Sequence, residues 1–323
     1  MRLPAILTLV VVTCMGAAYL VSCNSSITAS EEPTVNADSI NAVIERGRYL
    51  SVNVAGCIDC HSKRDFTKYS GPVVMGTHGQ GGMLFDQKLA GVPGEVYAKN
   101  ITPDNETGIG TWTDDEIIRA LTQGISKNGD TLFPIMPYMH YNKMAKEDLM
   151  SIIAFLKTLK PINNKVPDRK LLAPISMFYP APLLKPSIDD NVRPSHGDPV
   201  KYGEYLANIA DCGTCHTPMT PQGPDMTKMF AGGFSFDVGH FKVTSANITS
   251  DAETGIGKWT EEQFLEKFSQ YRKEENYSYN PGKENTIMPV SLISGMTDSD
   301  LRALYAYLRT IPPISNKIEK WPK

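Results

Sequence analysis

The chain has 323 residues, of which 41% are hydrophobic, 21% charged and 9% aromatic. These fractions are typical of a globular protein with a sizeable core, and they exclude a disordered or fibrous chain. The formal net charge is −3, from 32 basic and 35 acidic residues. This balance excludes a strong basic footprint for nucleic acid. Length alone predicts about two domains.

The N-terminal segment has the pattern of an export signal, because residues 3–22 are almost uncharged. A membrane-spanning anchor is the alternative, since the apolar run is nearly long enough to cross a bilayer. The sequence LVSC that ends at Cys23 resembles the lipobox of bacterial lipoproteins, in which the cysteine is lipidated. We therefore expect a lipoprotein signal peptide over 1–22 and a polar tether over 23–39. This predicts a chain held by its lipid on the periplasmic side of the cell envelope.

The remainder of the chain is an internal repeat. Each copy contains, in the same order, Gly-x-Tyr-Leu, Cys-x-x-Cys-His, Asn-Ile-Thr, Glu-Thr-Gly-Ile-Gly, Trp-Thr and Ile-Met-Pro. The offset between the copies is 155 positions at the first cysteine (Cys57 and Cys212) and 147 at the tryptophan (Trp112 and Trp259). The copies therefore differ by short loop insertions, and we expect two copies of one domain.

A proline-rich connector separates the two copies. Pro161–Pro199 contains eight prolines in 39 residues, which predicts an extended connector without a helix. We place the first domain at 40–166, the linker at 167–194 and the second domain at 195–320.

Both copies are predicted to be helical. Capping boxes at Thr113-Asp-Asp-Glu116 and Thr260-Glu-Glu-Gln263 each predict the start of a short helix. The final helix of each copy carries an apolar stripe with i, i+3, i+4, i+7 spacing. The stripes are Leu149, Ile152, Ile153 and Leu156, and Leu301, Leu304, Tyr305 and Leu308. No sustained strand alternation is visible, so the predicted fold class is all-α.

A glycine recurs in the first helix of each copy, as Gly47 and Gly203. Glycine inside a helix costs about 1 kcal/mol relative to alanine, so a close helix crossing is a reason to keep it. We expect the crossing partners to be the final helices near Ala154 and Ala306.

The two Cys-x-x-Cys-His motifs match the attachment sequence of c-type haem. They are Cys57-Ile-Asp-Cys60-His61 and Cys212-Gly-Thr-Cys215-His216. Residues three apart lie on one helix face, so two thiols can bond both vinyl groups of one porphyrin while the histidine ligates iron. A zinc site, a redox dithiol or two disulfides are the alternatives, and none explains a histidine after both pairs. We expect two covalently attached haem c groups.

A sixth iron ligand is predicted at Met136 and Met288, which recur in both copies. Each precedes a proline, which restricts the methionine to extended backbone geometry. Met144 and Met296 also recur and are the alternative, although a core contact is their ordinary role. Five extra residues precede Met288 and predict a different environment, and hence a different reduction potential, for the second haem. His140 aligns with Leu292, so it cannot serve both copies. The other histidines outside the motifs are expected at the surface or in loops: His78, His196 and His240.

This order of motifs resembles the multi-haem cytochrome c subunit of bacterial membrane-bound alcohol and gluconate dehydrogenases, over 42–166 and 198–318. The resemblance implies two tandem class I-like cytochrome c domains. It also implies that Trp112 and Trp259 pack near a haem edge or donate to a propionate, with core packing as the alternative. That subunit usually carries three haems, whereas this sequence has two attachment motifs.

Ligation by histidine and methionine fills both axial positions and leaves no iron site for substrate. We therefore expect an electron carrier without catalytic residues. It would connect a periplasmic or membrane-bound dehydrogenase with a respiratory acceptor, through partners such as a dehydrogenase subunit, an oxidase or a small cytochrome. The alternative is a di-haem redox enzyme, such as a peroxidase or a thiosulfate-oxidising cytochrome, which needs an axial site that can open.

Overall fold

The computed structural model describes residues 37–178, 184, 187–220 and 223–322. The predicted signal peptide, the lipid site Cys23 and residues 24–36 of the predicted tether lie outside this range. The last three tether residues are helical, because the first helix begins at Ala37. Within the described residues, no helix combines the length and the apolar character needed to cross a bilayer.

Helices provide most of the regular structure in the described chain. The α-helices are α1 Ala37–Tyr49, α2 Cys57–Cys60, α3 Gln87–Ala90, α4 Asp114–Gln123, α5 Tyr138–Tyr141, α6 Lys146–Leu156, α7 Ile175–Phe178, α8 Pro199–Ile209, α9 Cys212–Cys215, α10 Glu261–Ser269, α11 Val290–Ile293 and α12 Asp298–Leu308. A π-helical turn occupies Leu50–Val54. Short 3₁₀ turns occupy Met226–Lys228, Gln270–Arg272, Glu274–Asn276 and Gly282–Glu284.

Short strands form three small antiparallel sheets between the helices. The first has the order β1 Leu84–Phe85, β2 Gly94–Tyr97, β3 Lys170–Leu171; the others pair β4 Met219–Thr220 with β5 Gly223–Pro224, and β6 Ser235–Asp237 with β7 Lys242–Thr244. The helix-rich prediction is confirmed, and the structure adds these sheets to the all-α prediction. Strands of two to four residues are too short to produce an alternating pattern that a sequence reveals.

The predicted helix starts are confirmed. Thr113 accepts a bond from the Glu116 amide while the Glu116 side chain accepts from the Thr113 amide, and α4 follows directly. Thr260 and Gln263 make the same reciprocal pair before α10. These bonds satisfy amides that the first helical turn leaves without partners.

The glycine crossing is also confirmed in both copies. A Cβ on Gly47 would overlap the carbonyl oxygen of Ser151 in α6 and lie 2.9 Å from the Phe155 Cβ. On Gly203 it would overlap the Ala303 carbonyl oxygen in α12. Only glycine allows backbones to approach this closely. The crossings therefore fix how the first and last helices of each repeat pack.

The π-helical turn accounts for a length difference between the repeats. From the crossing glycine to the first cysteine there are ten positions in the first repeat (Gly47 to Cys57) and nine in the second (Gly203 to Cys212). A π turn contains one more residue per turn than an α turn. The extra residue is thus absorbed by Leu50–Val54 without changing the residues on either side.

The connector differs from its prediction. Its strand β3 joins the first sheet and agrees with the predicted extended conformation, whereas the single helical turn α7 is a departure from a connector without a helix. Its C-terminal part binds the first repeat. The Asn191 side chain donates to the carbonyls of Asn142 and Met144, and Arg193 pairs with Asp148 at 2.8 Å.

The two repeats contact each other through equivalent residues. Tyr49 donates to Asp300 at 2.6 Å, and Tyr205 donates to Asp148 at 2.8 Å. Each pair joins the first helix of one repeat to the last helix of the other. The repeats therefore face each other with an approximate two-fold relation.

A shared core accompanies these contacts. One hydrophobic cluster contains buried residues of both repeats, including Leu50, Leu149, Leu206 and Leu301, all fully buried. From Ala37 onward the chain is one compact unit by its contacts. The division of this unit into two domains stays a prediction.

Candidate functional site

Each cysteine pair lies on a single helical turn. Helix α2 begins at Cys57 and ends at Cys60, and helix α9 has the same length and sequence position in the second repeat. A left-handed residue precedes each turn: Gly56 at φ 64° and Asp211 at φ 53°. The short turn places both cysteines of a pair on one face.

The histidine that follows each pair is oriented by a backbone carbonyl. His61 Nδ1 lies 2.6 Å from the Lys99 oxygen, and His216 Nδ1 lies 2.7 Å from the Ala246 oxygen. Because a carbonyl only accepts, the proton sits on Nδ1 and the Nε2 lone pair remains for a metal. Burial lowers the pKa of both histidines, which favours this neutral form.

The Asn-Ile-Thr segment holds the orienting carbonyl in place. Asn100 donates to the Ile162 carbonyl at 2.7 Å and to Thr107 Oγ1 at 2.9 Å, and it accepts from Thr102. The second repeat repeats these bonds with Asn247, Ile314, Thr254 and Thr249. The sequence analysis used this segment only as a marker of resemblance and missed its role. The recurrence of the asparagine beside the histidine-binding carbonyl was the available signal.

The surroundings of the four cysteines bear on the alternatives to haem. The four described cysteines form no disulfide. Burial raises the pKa of the Cys57 thiol to about 11, whereas a reactive dithiol needs a lowered pKa. Among the described residues, no three or more histidine, cysteine or acidic side chains are grouped to hold a metal ion. That grouping is what a structural zinc site requires.

The two cysteine motifs lie within electrostatic reach of each other. Burial, followed by negative charges that include Asp211 of the second repeat, raises the pKa of the Cys60 thiol to about 12. Burial likewise raises the pKa of Cys215, with a smaller contribution from Asp59 of the first repeat. Acidic residues beside one predicted attachment site therefore act on the thiols of the other.

The recurring methionines divide into two environments. Met136 and Met288 are half-buried, each in the loop before a short helix, and Met136 packs against the shared cluster. Met144 and Met296 are fully buried in the shared cluster. Full enclosure by protein atoms is the ordinary packing role expected for Met144 and Met296. Trp112 and Trp259 are also half-buried beside that cluster.

One histidine outside the motifs joins the repeats. His140 Nε2 lies 3.3 Å from Asp211 Oδ1, and its Nδ1 lies 3.0 Å from Asn208 Oδ1. The two-fold equivalents of His140 and Asp211 are Leu292 and Gly56, so this polar pair occurs once. Sequence comparison of the copies could not find it, because it is a departure from the repeat. The other three histidines outside the motifs are exposed, as predicted: His78, His196 and His240.

Comparison with known proteins places these features in context. The chain is 31% identical over 289 residues to the cytochrome c subunit of the quinone alcohol dehydrogenase of Gluconobacter oxydans, covering 86% of this chain and 56% of that protein. It is homologous to dehydrogenase cytochrome c subunits. A second such relative is the gluconate 2-dehydrogenase cytochrome c subunit of Pantoea cypripedii, at 28% identity over 84% of this chain and 60% of that one.

A relative of similar length to this chain also matches. A di-haem cytochrome c-type protein of Cereibacter sphaeroides is 27% identical over 80% of this chain and 83% of its own. The chain spans little more than half the length of the two dehydrogenase subunits. No family model matches the sequence. The resemblance inferred from the motifs is confirmed by these relatives, which match over 80% to 86% of this chain.

Proposed function

We propose that this chain is a di-haem cytochrome c that carries single electrons. Haem would be bonded through thioethers to the four cysteines and ligated by His61, Met136, His216 and Met288. The observation that carries the proposal is the identical geometry of both motifs. In each, a one-turn helix carries the thiols and a carbonyl orients the next histidine through Nδ1.

The residues present fit this group. Two thiols on one turn suit two vinyl groups, and a neutral histidine with a free Nε2 is the usual proximal ligand. Bound haem supplies a reversible one-electron couple at iron. The histidine and methionine of each repeat would hold the iron and keep substrate from it, and the buried setting would tune the reduction potential. This donor set favours electron transfer over a di-haem enzyme.

We infer the redox partners from the relatives. Two of them are cytochrome c subunits of alcohol and gluconate dehydrogenases. Electrons would arrive from a dehydrogenase subunit and leave to a respiratory acceptor, such as an oxidase or a small cytochrome. The lipobox supports attachment through Cys23 on the periplasmic side of the membrane. Replacing Cys23 with Ser should release the protein into the soluble periplasmic fraction, with the wild type in the membrane fraction as the control.

Haem attachment tests the central proposal. Thioether bonds survive unfolding, so haem should remain on the denatured polypeptide in a haem-stained gel. Cys57→Ala and Cys212→Ala should each disturb attachment at one site and leave the other site as an internal control. Haem content measured against protein should fall from two towards one in each variant. Unchanged stoichiometry and attachment in either variant would contradict the assignment.

A further inference from the structure

A side chain of the first repeat brackets the proposed axial methionine of the second. Ser70 Oγ donates to the Met288 carbonyl oxygen at 2.7 Å and accepts from the Val290 amide at 2.9 Å. Ser70 is fully buried. The two bonds fix the chain on both sides of Pro289, which is where the methionine must be held still to ligate.

Further bonds lock Ser70 and the ligand loop together. The Ser70 amide donates to Asn285 Oδ1 at 2.9 Å, and the Asn285 side chain donates back to the Phe66 carbonyl at 2.8 Å. Arg64 donates to the carbonyls of Ser70 at 2.5 Å and Ile287 at 3.2 Å. The loop before Met288 is therefore positioned from outside its own repeat.

Ser70 has an uncommon backbone conformation. Its φ is 65°, in the left-handed region that disfavours a residue with a Cβ and suits glycine. A serine at this strained position is explained by the two bonds that its hydroxyl makes. The Met136 and Met288 carbonyls each accept from the amide two residues further on, and the Met288 carbonyl accepts from the Ser70 hydroxyl in addition.

We propose that Ser70 is a positioning residue that holds Met288 as the axial ligand of the second haem. The inference rests on the proposed function, since it assumes that Met288 is the ligand. It gives the first repeat control over how readily an added ligand displaces Met288. Without the Ser70 bonds, the loop that carries Met288 samples displaced positions more often, so a competing ligand binds the iron more tightly.

Imidazole competition on the purified haem-loaded protein tests this positioning. In Ser70→Ala, one iron should bind imidazole about tenfold more tightly, equivalent to about 1.4 kcal/mol, while the other iron is unchanged. Ser70→Gly should increase imidazole affinity in the same way. Because glycine suits the left-handed backbone at this position, this variant relieves the strain and separates loss of the hydroxyl from a folding defect. The matched control is Ser294→Ala, which removes a buried hydroxyl bonded to the Tyr271 and Ser291 carbonyls. It should leave both affinities unchanged.

Double mutants identify the iron concerned. In a Met288→Ala background, Ser70→Ala should have no further effect on imidazole binding; in a Met136→Ala background, the tenfold change should persist. If Met288→Ala opens an iron but neither Ser70 variant changes imidazole affinity, the positioning role is wrong and the ligand assignment stands. An equal change in Ser294→Ala would also overturn it. If Met288→Ala opens no iron, the ligand assignment itself fails, and this inference fails with it.

Discussion

At the scale of single residues, hydrogen bonds to the backbone decide what the functional side chains can do. The carbonyls of Lys99 and Ala246 select the tautomer of His61 and His216. Met136 and Met288 are half-buried and each precedes a proline, whereas Met144 and Met296 are fully buried, although all four recur in the repeat. Burial therefore separates methionines that sequence spacing treats alike.

The first prediction concerns that separation. Met288→Ala should open one iron, lower its reduction potential and remove its share of the ferric charge-transfer band that reports Met–iron bonding. Met296→Ala should keep the band and lose stability by about 2–5 kcal/mol, because it leaves a cavity in the core. Optical spectra and denaturant titrations of both variants measure this. Loss of the band in Met296→Ala alone would reverse the assignment.

A second residue-scale prediction concerns Asp148, whose side chain is 1% exposed. It pairs with Arg46 at 2.9 Å and Arg193 at 2.8 Å and accepts from Tyr205 at 2.8 Å. Asp148→Asn leaves both guanidinium groups without their counter-charge, so the free energy of unfolding should fall by about 3–5 kcal/mol.

The control for Asp148 is an exposed ion pair. Glu45→Gln removes the partner of Arg48 at the surface and should cost less than about 0.5 kcal/mol. Denaturant midpoints at matched slope measure both changes. Similar losses in the two variants would show that the buried position of Asp148 adds nothing.

At the scale of secondary-structure elements, each repeat depends on one helix crossing. The first and last helices meet where Gly47 contacts the Ser151 carbonyl and where Gly203 contacts the Ala303 carbonyl. These contacts are between backbones, so no rotamer change can make room for a larger residue. The crossing is thus the least tolerant position of each helix pair.

The third prediction follows from the crossing. Gly47→Ala and Gly203→Ala should each reduce the free energy of unfolding by about 3 kcal/mol or more, although alanine favours the helix itself. Gly197→Ala is the control, since a Cβ there would meet only the Ser195 hydroxyl at 3.4 Å. It should change stability by less than about 0.5 kcal/mol. Thermal unfolding followed by circular dichroism checks the comparison.

At the scale of the whole molecule, the approximate two-fold relation is broken beside the cysteine motifs. The His140 and Asp211 pair occupies one side, and the equivalent positions hold Leu292 and Gly56. The five extra residues before Met288, around 277–281, are a second difference. Tyr279 in this segment stacks on Tyr69 of the first repeat, with ring centroids 5.5 Å apart. Unequal reduction potentials for the two haems stay a prediction. The two structural differences described above are the reason to expect them.

The fourth prediction uses the charge of Asp211, which directly precedes Cys212. A nearby carboxylate stabilises the ferric state, so Asp211→Asn should raise the reduction potential of the haem attached at Cys212. Asp225→Asn, which removes an acidic side chain on a surface turn, should have little effect. Potentiometric titration with optical detection measures both. A lowered potential in Asp211→Asn would contradict the expected sign.

Acidity should reproduce the effect of that substitution. Burial raises the pKa of Asp211, and the charge of His140 opposes this shift. Protonation below the folded-state pKa removes the negative charge, so the potential should rise as the pH falls. The rise should begin at a higher pH than for an unperturbed carboxyl group, and it should be absent in Asp211→Asn.

Short-range spacing by itself determined much of this protein. The repeat follows from alignment of the two copies, and the capping boxes, the apolar stripes and the crossing glycines follow from residues within one or two helical turns. The capping boxes and the glycine crossings are present in the structure. The cysteine motifs and the resemblance to dehydrogenase cytochrome c subunits also follow from local order. The connector prediction missed the single helical turn α7. It also did not give the pairing of strand β3, because that pairing depends on where β2 lies.

Only the tertiary structure decided how the two repeats support each other. Ser70 and Met288 are 218 positions apart, and Tyr49 and Asp300 are 251 apart. No spacing rule connects such residues, because their approach depends on how the helix pairs pack against each other. The asymmetric contacts of Ser70 and His140 are departures from the repeat, so comparison of the copies set them aside. These contacts form only when the two repeats pack together, and they distinguish one candidate haem site from the other.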